Sequence, residues 1–410
     1  MSSASAEMLR ARERLAAIGW IAPRSEYFRH LPPPGADVWL GDAVARGAAG
    51  SRLDDTDGWE IETLDQAPQA RVDAEWLDAT EAVARNALFD GTPVPGDGDA
   101  DCFAWAHQAM CRRGLRLRIG AAGTPARPGE SVRLALRRSA RAALEAPALV
   151  IDVAPGMHCM LVETHERDAQ ATAVVQNLQL HVRLGEGAQL QHLRVVVPAP
   201  ADQVAHRVHA SLACGARYEQ ALIASGARYH LQRTELDLQA ARSVARVGGA
   251  LFAAGSALEQ QVEVLHGGVA TNSDVEALML ASGRARGVVN AITRIAPGAT
   301  DASVRQRLSG IPTGGQPKLV LRPHLEICHD QVQAVHGATW GSLPEDALFY
   351  ARQRGLDERS ARALIIEGLL AALLARSLGD PDLLQSLGVA ARLSGAVAAH
   401  LAADAKERTA

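Results

Sequence analysis

From about Ala148 to Cys328 the chain is written in short runs of alternating apolar and polar residues separated by glycine. The clearest run interleaves Leu178, Leu180, Val182 and Leu184 with Asn177, Gln179, His181 and Arg183. In an extended chain successive side chains point to opposite faces, so a period of two predicts a half-buried β-strand. The glycines recur as Gly187-Ala188, Gly215-Ala216, Gly226-Ala227, Gly255-Ser256, Gly283-Arg284 and Gly298-Ala299. Gly187 to Gly215, Gly226 to Gly255 and Gly255 to Gly283 are each 28 or 29 residues apart. A repeat of that length, with one apolar face per unit, predicts the coils of a solenoid, each burying its inner face against the next. A β-helix is the leading architecture and a β-sandwich the second, since periodicity alone does not separate them.

Both ends of the chain change period. Leu9, Leu15 and Ile18 among charges predict an amphipathic helix from about Ala6 to Ile18, ending at Gly19. Leu31-Pro32-Pro33-Pro34-Gly35 forms a linker, because proline lacks the amide donor a helix needs. A second helix is expected from roughly Asp73 to Leu88, a loop over Gly91 to Asp101, and a third helix from Cys102 to Arg112. After Gly341, Ser342 and Glu345 read as a capping box for a helix that stops at Gly355. Asp357 caps the next, which runs to about Leu378 before Gly379, and Asp380-Pro381 starts another. The expected organisation is a mostly helical or mixed region over 1–145, a β-helix core over 146–340 and a helical subdomain over 341–410.

Composition narrows the function classes. The chain has 410 residues and is 48% apolar, enough for a sizeable core, while only 4% is aromatic, which suits repeated aliphatic layers. A formal charge of -4 with no basic stripe argues against nucleic acid. Five cysteines without a CxxC pair indicate neither a disulfide framework nor a self-contained zinc or cluster motif, and fit a reducing cytoplasm. No apolar leader opens the sequence, and the longest apolar run, Ala363 to Ala375, is interrupted by Glu367; it predicts a buried helix and no membrane span. Asp97-Gly98-Asp99-Ala100-Asp101 lacks the glycine and the final carboxylate of a calcium loop. Gly310 to Lys318 is glycine-rich without the order of a phosphate-binding loop, and neither a G-x-S-x-G elbow nor a compelling carboxylate pair is present. A non-enzymatic role is the expectation.

Particular residues carry a resemblance. Arg322-Pro323-His324-Leu325-Glu326-Ile327, Asp330-Gln331-Val332, His336-Gly337-Ala338-Thr339, Gly341, Leu343, Glu345, Leu348-Phe349-Tyr350, Arg352 and Arg354-Gly355-Leu356 resemble the C-terminal region of the SufB/SufD family of iron–sulfur cluster assembly proteins. Val288-Val289-Asn290, Ile295 and Pro297-Gly298-Ala299 are similar to that family's last coils, and Pro23 to Arg29 is similar to its N-terminal segment. The specific match covers roughly residues 285–370. Gly337 points to the SufD branch, because a SufB chain is expected to carry glutamate after the histidine. The resemblance implies a mainly β fold with a right-handed parallel β-helix between helical terminal parts. It also implies a scaffold subunit in a complex with a SufB-like chain and the SufC ABC-type ATPase, which supplies the nucleotide hydrolysis.

The resemblance also implies site residues. His336 matches the family's functional histidine at the SufB interface, and neutral imidazole suits iron. It becomes the first candidate ligand for transient iron or a nascent cluster shared with SufB, with no tightly bound cofactor expected. Ala334 stands where the family often has cysteine. Cys328 and His329 are weaker candidates; the alternative reading of Cys328 is a buried apolar thiol beside solvated histidines. Leu348, Phe349, Tyr350, Arg352 and Arg354 are candidates for docking SufC, although Leu348 and Phe349 can equally pack their helix onto the end of the β-helix. A homodimer in isolation is one alternative state. The rival functions are a purely structural adaptor without a ligand, and a carbohydrate-active β-helix enzyme, which low aromatic content disfavours.

Overall fold

The computed structural model describes residues 3–41, 58–64, 72–120, 131–167, 171–379 and 388–409. The strands are β1 (Trp59–Thr63), β2 (Val72–Asp78), β3 (Arg113–Ile119), β4 (Ser131–Arg138), β5 (Leu144–Glu145), β6 (Ala148–Val153), β7 (His158–Glu166), β8 (Val175–Leu184), β9 (Gln189–Val197), β10 (Gln203–Leu212), β11 (Arg217–Ser225), β12 (Tyr229–Leu238), β13 (Val244–Ala254), β14 (Ala257–His266), β15 (Asn272–Ser282), β16 (Arg286–Ile295), β17 (Ala302–Pro312), β18 (Lys318–Ile327) and β19 (Val332–Trp340). The helices are α1 (Ser3–Ile18), α2 (Ala36–Leu40), α3 (Ala82–Phe89), α4 (Cys102–Met110), α5 (Glu345–Gln353), α6 (Glu358–Leu378) and α7 (Val389–Thr409).

From β6 onward consecutive strands alternate between two sheets, and each strand pairs in parallel with the strand two places on. Gln189 lies beside Arg217 and Val175 beside Gln203, a step of 28 residues in both sheets. This is a parallel β-solenoid, and parallel pairing between successive coils excludes the sandwich. One sheet runs β1-β4-β7-β9-β11-β13-β15-β17-β19 and the other β18-β16-β14-β12-β10-β8-β6-β3-β2, with β5 beside β8. Parallel pairing already joins β3 to β6 and β4 to β7, upstream of residue 146.

The helix expected over Asp73 to Leu88 is half strand: Asp73 to Asp78 belongs to β2, which pairs antiparallel with β3, and the helix begins at Ala82. Val72 and Ala74 pack against the solenoid core, so an available sheet edge overrides a weak local helical pattern. β1 pairs antiparallel with β4 in the other sheet, so the first coil closes on reversed strands.

At one corner of the solenoid, Gly156, Gly187, Gly215, Arg242, Ala270 and Asp301 occupy successive coils, all with positive φ between 56° and 71°. Each donates its N–H to a carbonyl in the next coil at 2.8–2.9 Å, through Glu186, Cys214, Ala241, Val269, Thr300 and Gln331. The left-handed turn is held by stacking, which explains how it persists in three positions where a Cβ makes it unfavourable.

Leucine, valine and alanine from both sheets fill the interior, among them Leu117, Leu134, Leu180, Leu190, Leu222 and Val262. The outer face of the nine-stranded sheet is covered by α6 and α7, with Ile366, Leu370, Leu373 and Leu374 against Leu193, Ile223 and Phe252. These positions recur at three and four residues along α6, a stripe that fixes which side of the helix faces the sheet. Gly248 lets α6 approach closely, since a Cβ there would meet Ser377 Oγ at 1.8 Å. The ten-stranded sheet is covered by α1, α2 and α4, where Phe103 meets Trp39 and Trp20 edge-on at 5.0 and 5.3 Å.

That cover corrects the half-buried reading of β8. Asn177, Gln179 and His181 are buried as well, and Asn177 Nδ2 donates to Phe103 O at 2.8 Å. Alternation identifies polar positions, not whether another element satisfies them away from water. The Ser342 capping box does not form: α5 starts at Glu345 behind Pro344, without a side-chain cap, and Glu345 and Asp346 supply favourable charge in its first turn. Asp357 does cap α6, accepting from Ser360 N at 2.9 Å, and Gly379 ends it with φ of 69°. The start expected at Asp380-Pro381 lies outside the described residues. No described helix is long and apolar enough to cross a membrane.

Candidate functional site

β18 and β19 are the last strands of the two sheets, and among the described residues each pairs along one side only. Their free edges form an open end of the solenoid, with Ile327, Val335 and Trp340 exposed on it. An unpaired edge displays a row of backbone donors and acceptors ready to pair with another chain.

His336 sits on this end. In register it lies beside Gln306 of β17, and Ala334 and Ala338 share its face of β19. Ala338 packs on the interior cluster, so His336 is the exposed continuation of the solenoid's inner face. Gln306 is fully buried; its Nε2 donates to Thr293 Oγ1 at 2.8 Å, and its Oε1 has no partner. No hydrogen bond joins the Gln306 side chain to His336.

Cys328 follows β18, its N–H donating to Ile295 O at 2.9 Å, and its side chain is exposed, which overturns its reading as a buried thiol. His329 Nε2 is 3.1 Å from Thr300 Oγ1, and His324 Nε2 is 3.3 Å from Glu326 Oε1. Among the described residues no group of three or more His, Cys, Asp or Glu is placed to hold a metal ion.

The second surface is on α5 and α6. Leu348 packs inward against the sheet cluster, while Phe349 and Tyr350 are 65% and 61% exposed. Arg354 lies over the Tyr350 ring at 5.0 Å, and Arg352 is exposed. Leu356, just before α6, and Leu364 and Leu369 on α6 are exposed as well. The run Ala363 to Ala375 is thus only partly the buried helix expected: one face packs on the sheet and the other is open. Leu364 and Leu369 were legible as leucines outside the packing stripe.

Sequence reading missed the polar group inside the solenoid. Glu163, fully buried on β7, accepts from Arg194 Nη2 at 2.8 Å and Nε at 3.1 Å, from His165 Nε2 at 2.5 Å and from His192 Nε2 at 2.9 Å. Arg194 also donates to Gln232 Oε1 at 3.0 Å, and His206 Nε2 is 2.6 Å from Gln176 Oε1. Burial pushes the Glu163 carboxyl up, but the Arg194 charge and both imidazole hydrogen bonds outweigh it and hold it well below the usual range. Burial lowers His165, His192 and His206, so these rings stay neutral.

The family model for the SUF system FeS cluster assembly SufBD core domain matches residues 136–369. Iron-sulfur cluster assembly protein SufD of Escherichia coli (strain K12) is 22% identical over 346 residues, covering 79% of this chain and 78% of its own. An iron-sulfur cluster assembly SufBD family protein of Synechocystis sp. is 32% identical over 81 residues, covering 20% of this chain and 18% of its own.

Proposed function

This chain belongs to the SufB/SufD family of iron–sulfur cluster assembly proteins, which its similarity over residues 136–369 establishes, and from that premise we propose that it is a SufD-type scaffold subunit. Its open solenoid end pairs with a SufB-like chain, and His336 contributes one ligand to iron or a nascent cluster held between the two. The observation that carries this reading is His336 on an exposed strand whose edge is unpaired. The cluster is cargo here, and nucleotide hydrolysis comes from a SufC-type ATPase docked on α5 and α6. Five free cysteines fit a reducing, cytoplasmic setting.

His336→Ala is expected to leave the complex intact and to lower cluster formation by at least about tenfold, on the scale of perturbed metal sites. Size-exclusion chromatography reads the first and iron and sulfide content of the complex the second. Unchanged cluster content would return the purely structural adaptor. On the second surface, Phe349→Asp is expected to weaken ATPase capture by about 2 kcal/mol or more, as for an aromatic anchor. Titration calorimetry with the SufC-type subunit measures it, and an unaltered Kd would assign Phe349 to no interface.

A further inference from the structure

The outer face of the ten-stranded sheet carries ion pairs that zigzag from coil to coil toward the open end. Arg207 on β10 pairs with Asp101 at 3.5 Å and with Glu235 on β12 at 2.5 Å. Arg233 bonds the same Glu235 at 2.5 Å and reaches Glu263 on β14 at 2.7 Å. Arg294 on β16 pairs with Glu263 as well, and its Nε meets Glu326 on β18 at 2.7 Å. Tyr27 of the N-terminal segment lies across the path, its ring 5.3 Å from the Arg233 guanidinium and its hydroxyl 2.9 Å from Arg294 Nη2.

The sign alternates at each step, and each interior carboxylate is held by two arginines. Glu235 has Arg207 and Arg233; Glu263 has Arg233 and Arg294. Glu326 breaks the rule. Among the described residues it has Arg294 on one side and, within its own strand, only His324 at 3.3 Å. Its side chain is 43% exposed, against 14% for Glu235 and 17% for Glu263. A carboxylate has about four acceptor positions, so Glu326 retains capacity for a second cation. The side on which that cation is missing is the unpaired edge of β18.

We propose that the strand which pairs with the edge of β18 presents an arginine or lysine beside Glu326, so that the ion-pair ladder continues from this chain into its partner. The occupant is the edge strand of a second solenoid, and the inference rests on the docking of a SufB-like chain proposed above. A side chain on a strand hydrogen-bonded to β18 stands about 5 Å away, the relation that Arg294 already has to Glu326 from β16. Backbone pairing alone is indifferent to register; a charge that must fall opposite Glu326 selects one register and rejects a shifted partner.

The test uses the full chain with a co-expressed SufB-type chain, and measures Kd for Glu326→Gln and Glu326→Arg at low and high ionic strength. Glu326→Gln keeps the shape and removes the charge; Glu326→Arg reverses it. The expected result is weaker binding by about tenfold for the reversal, less for the neutral variant, with both differences shrinking as salt rises. Reversal of the partner's matching cation then restores affinity to Glu326→Arg. Thermal unfolding of each variant confirms that the fold is kept, which the exposure of Glu326 favours. A wild-type complex whose affinity neither variant changes at either ionic strength overturns the ladder and leaves the docking reading standing. Absence of any complex with the wild-type chain overturns the docking reading itself, and the ladder with it.

Discussion

Glu163→Ala is expected to remove about 3–5 kcal/mol of stability, the range for deleting one member of a buried ion pair. Glu163 and Arg194 are both within 1% of complete burial. Without the carboxylate, the Arg194 guanidinium keeps Gln232 and His206 as partners but loses its counter-charge, and His165 and His192 lose an acceptor. The penalty comes from the stranded charge more than from the lost bond. Replacing both residues with apolar ones, Glu163→Leu with Arg194→Met, is therefore expected to cost less than the single change. Urea unfolding followed by circular dichroism measures both, and a single variant within 1 kcal/mol of wild type, by the range cited above, would show that the cluster is not what holds these coils together.

Acidification is expected to unfold the protein between about pH 6.5 and 4, before most carboxylates titrate. Burial lowers His230, His266 and His400 to about 4 and His107 to about 3. Unfolded, each returns to about 6.5. In that window the unfolded chain binds protons that the folded chain refuses, so stability rises with pH and the full contribution is present above 6.5. At about 1.4 kcal/mol per unit, each of the three near 4 contributes about 3.5 kcal/mol, and together they rival the stability of an ordinary domain. Glu163 adds loss at lower pH, because its depressed carboxyl is stabilising above its unfolded value and ceases to be so as pH falls through the folded one. Glu259 opposes the trend: burial raises it to about 8, so between its unfolded value and 8 it favours the folded state at lower pH. One glutamate does not offset four histidines. A circular dichroism titration that still shows the intact fold at pH 4 would sink this account.

The solenoid was legible in sequence where glycine and alternation coincide, as around Leu178 to Leu184 and from Gly187 to Gly215. It was not legible where Arg242, Ala270 and Asp301 take the same left-handed turn, because neighbouring coils impose there what glycine permits elsewhere. The polar interior was hidden for a related reason. On β9 the apolar residues Leu193 and Val195 face α6 and α7, whereas His192 and Arg194 point into the solenoid, so polarity and burial run opposite to the usual rule. For the candidate site, residue identity marked His336, Phe349 and Tyr350. That His336 continues the inner face at an open end, in register with Gln306, follows only from strand pairing. The incomplete ladder at Glu326 depends on three strands far apart in sequence and leaves no local trace.

The stacked corner also governs how such a chain can change length over evolution. An insertion within a strand would turn every later inward side chain outward until the next corner, whereas a corner absorbs extra residues. The observed steps show that slack: 26 residues from Gln203 to Tyr229, and 32 from Arg286 to Lys318. Duplication or loss of one whole coil preserves the hydrogen-bonded turn column, both sheet faces and the open end. Relatives of this chain can accordingly differ by entire coils while keeping the same terminal surface, and the distance between their two ends becomes a variable that descent can tune in discrete increments.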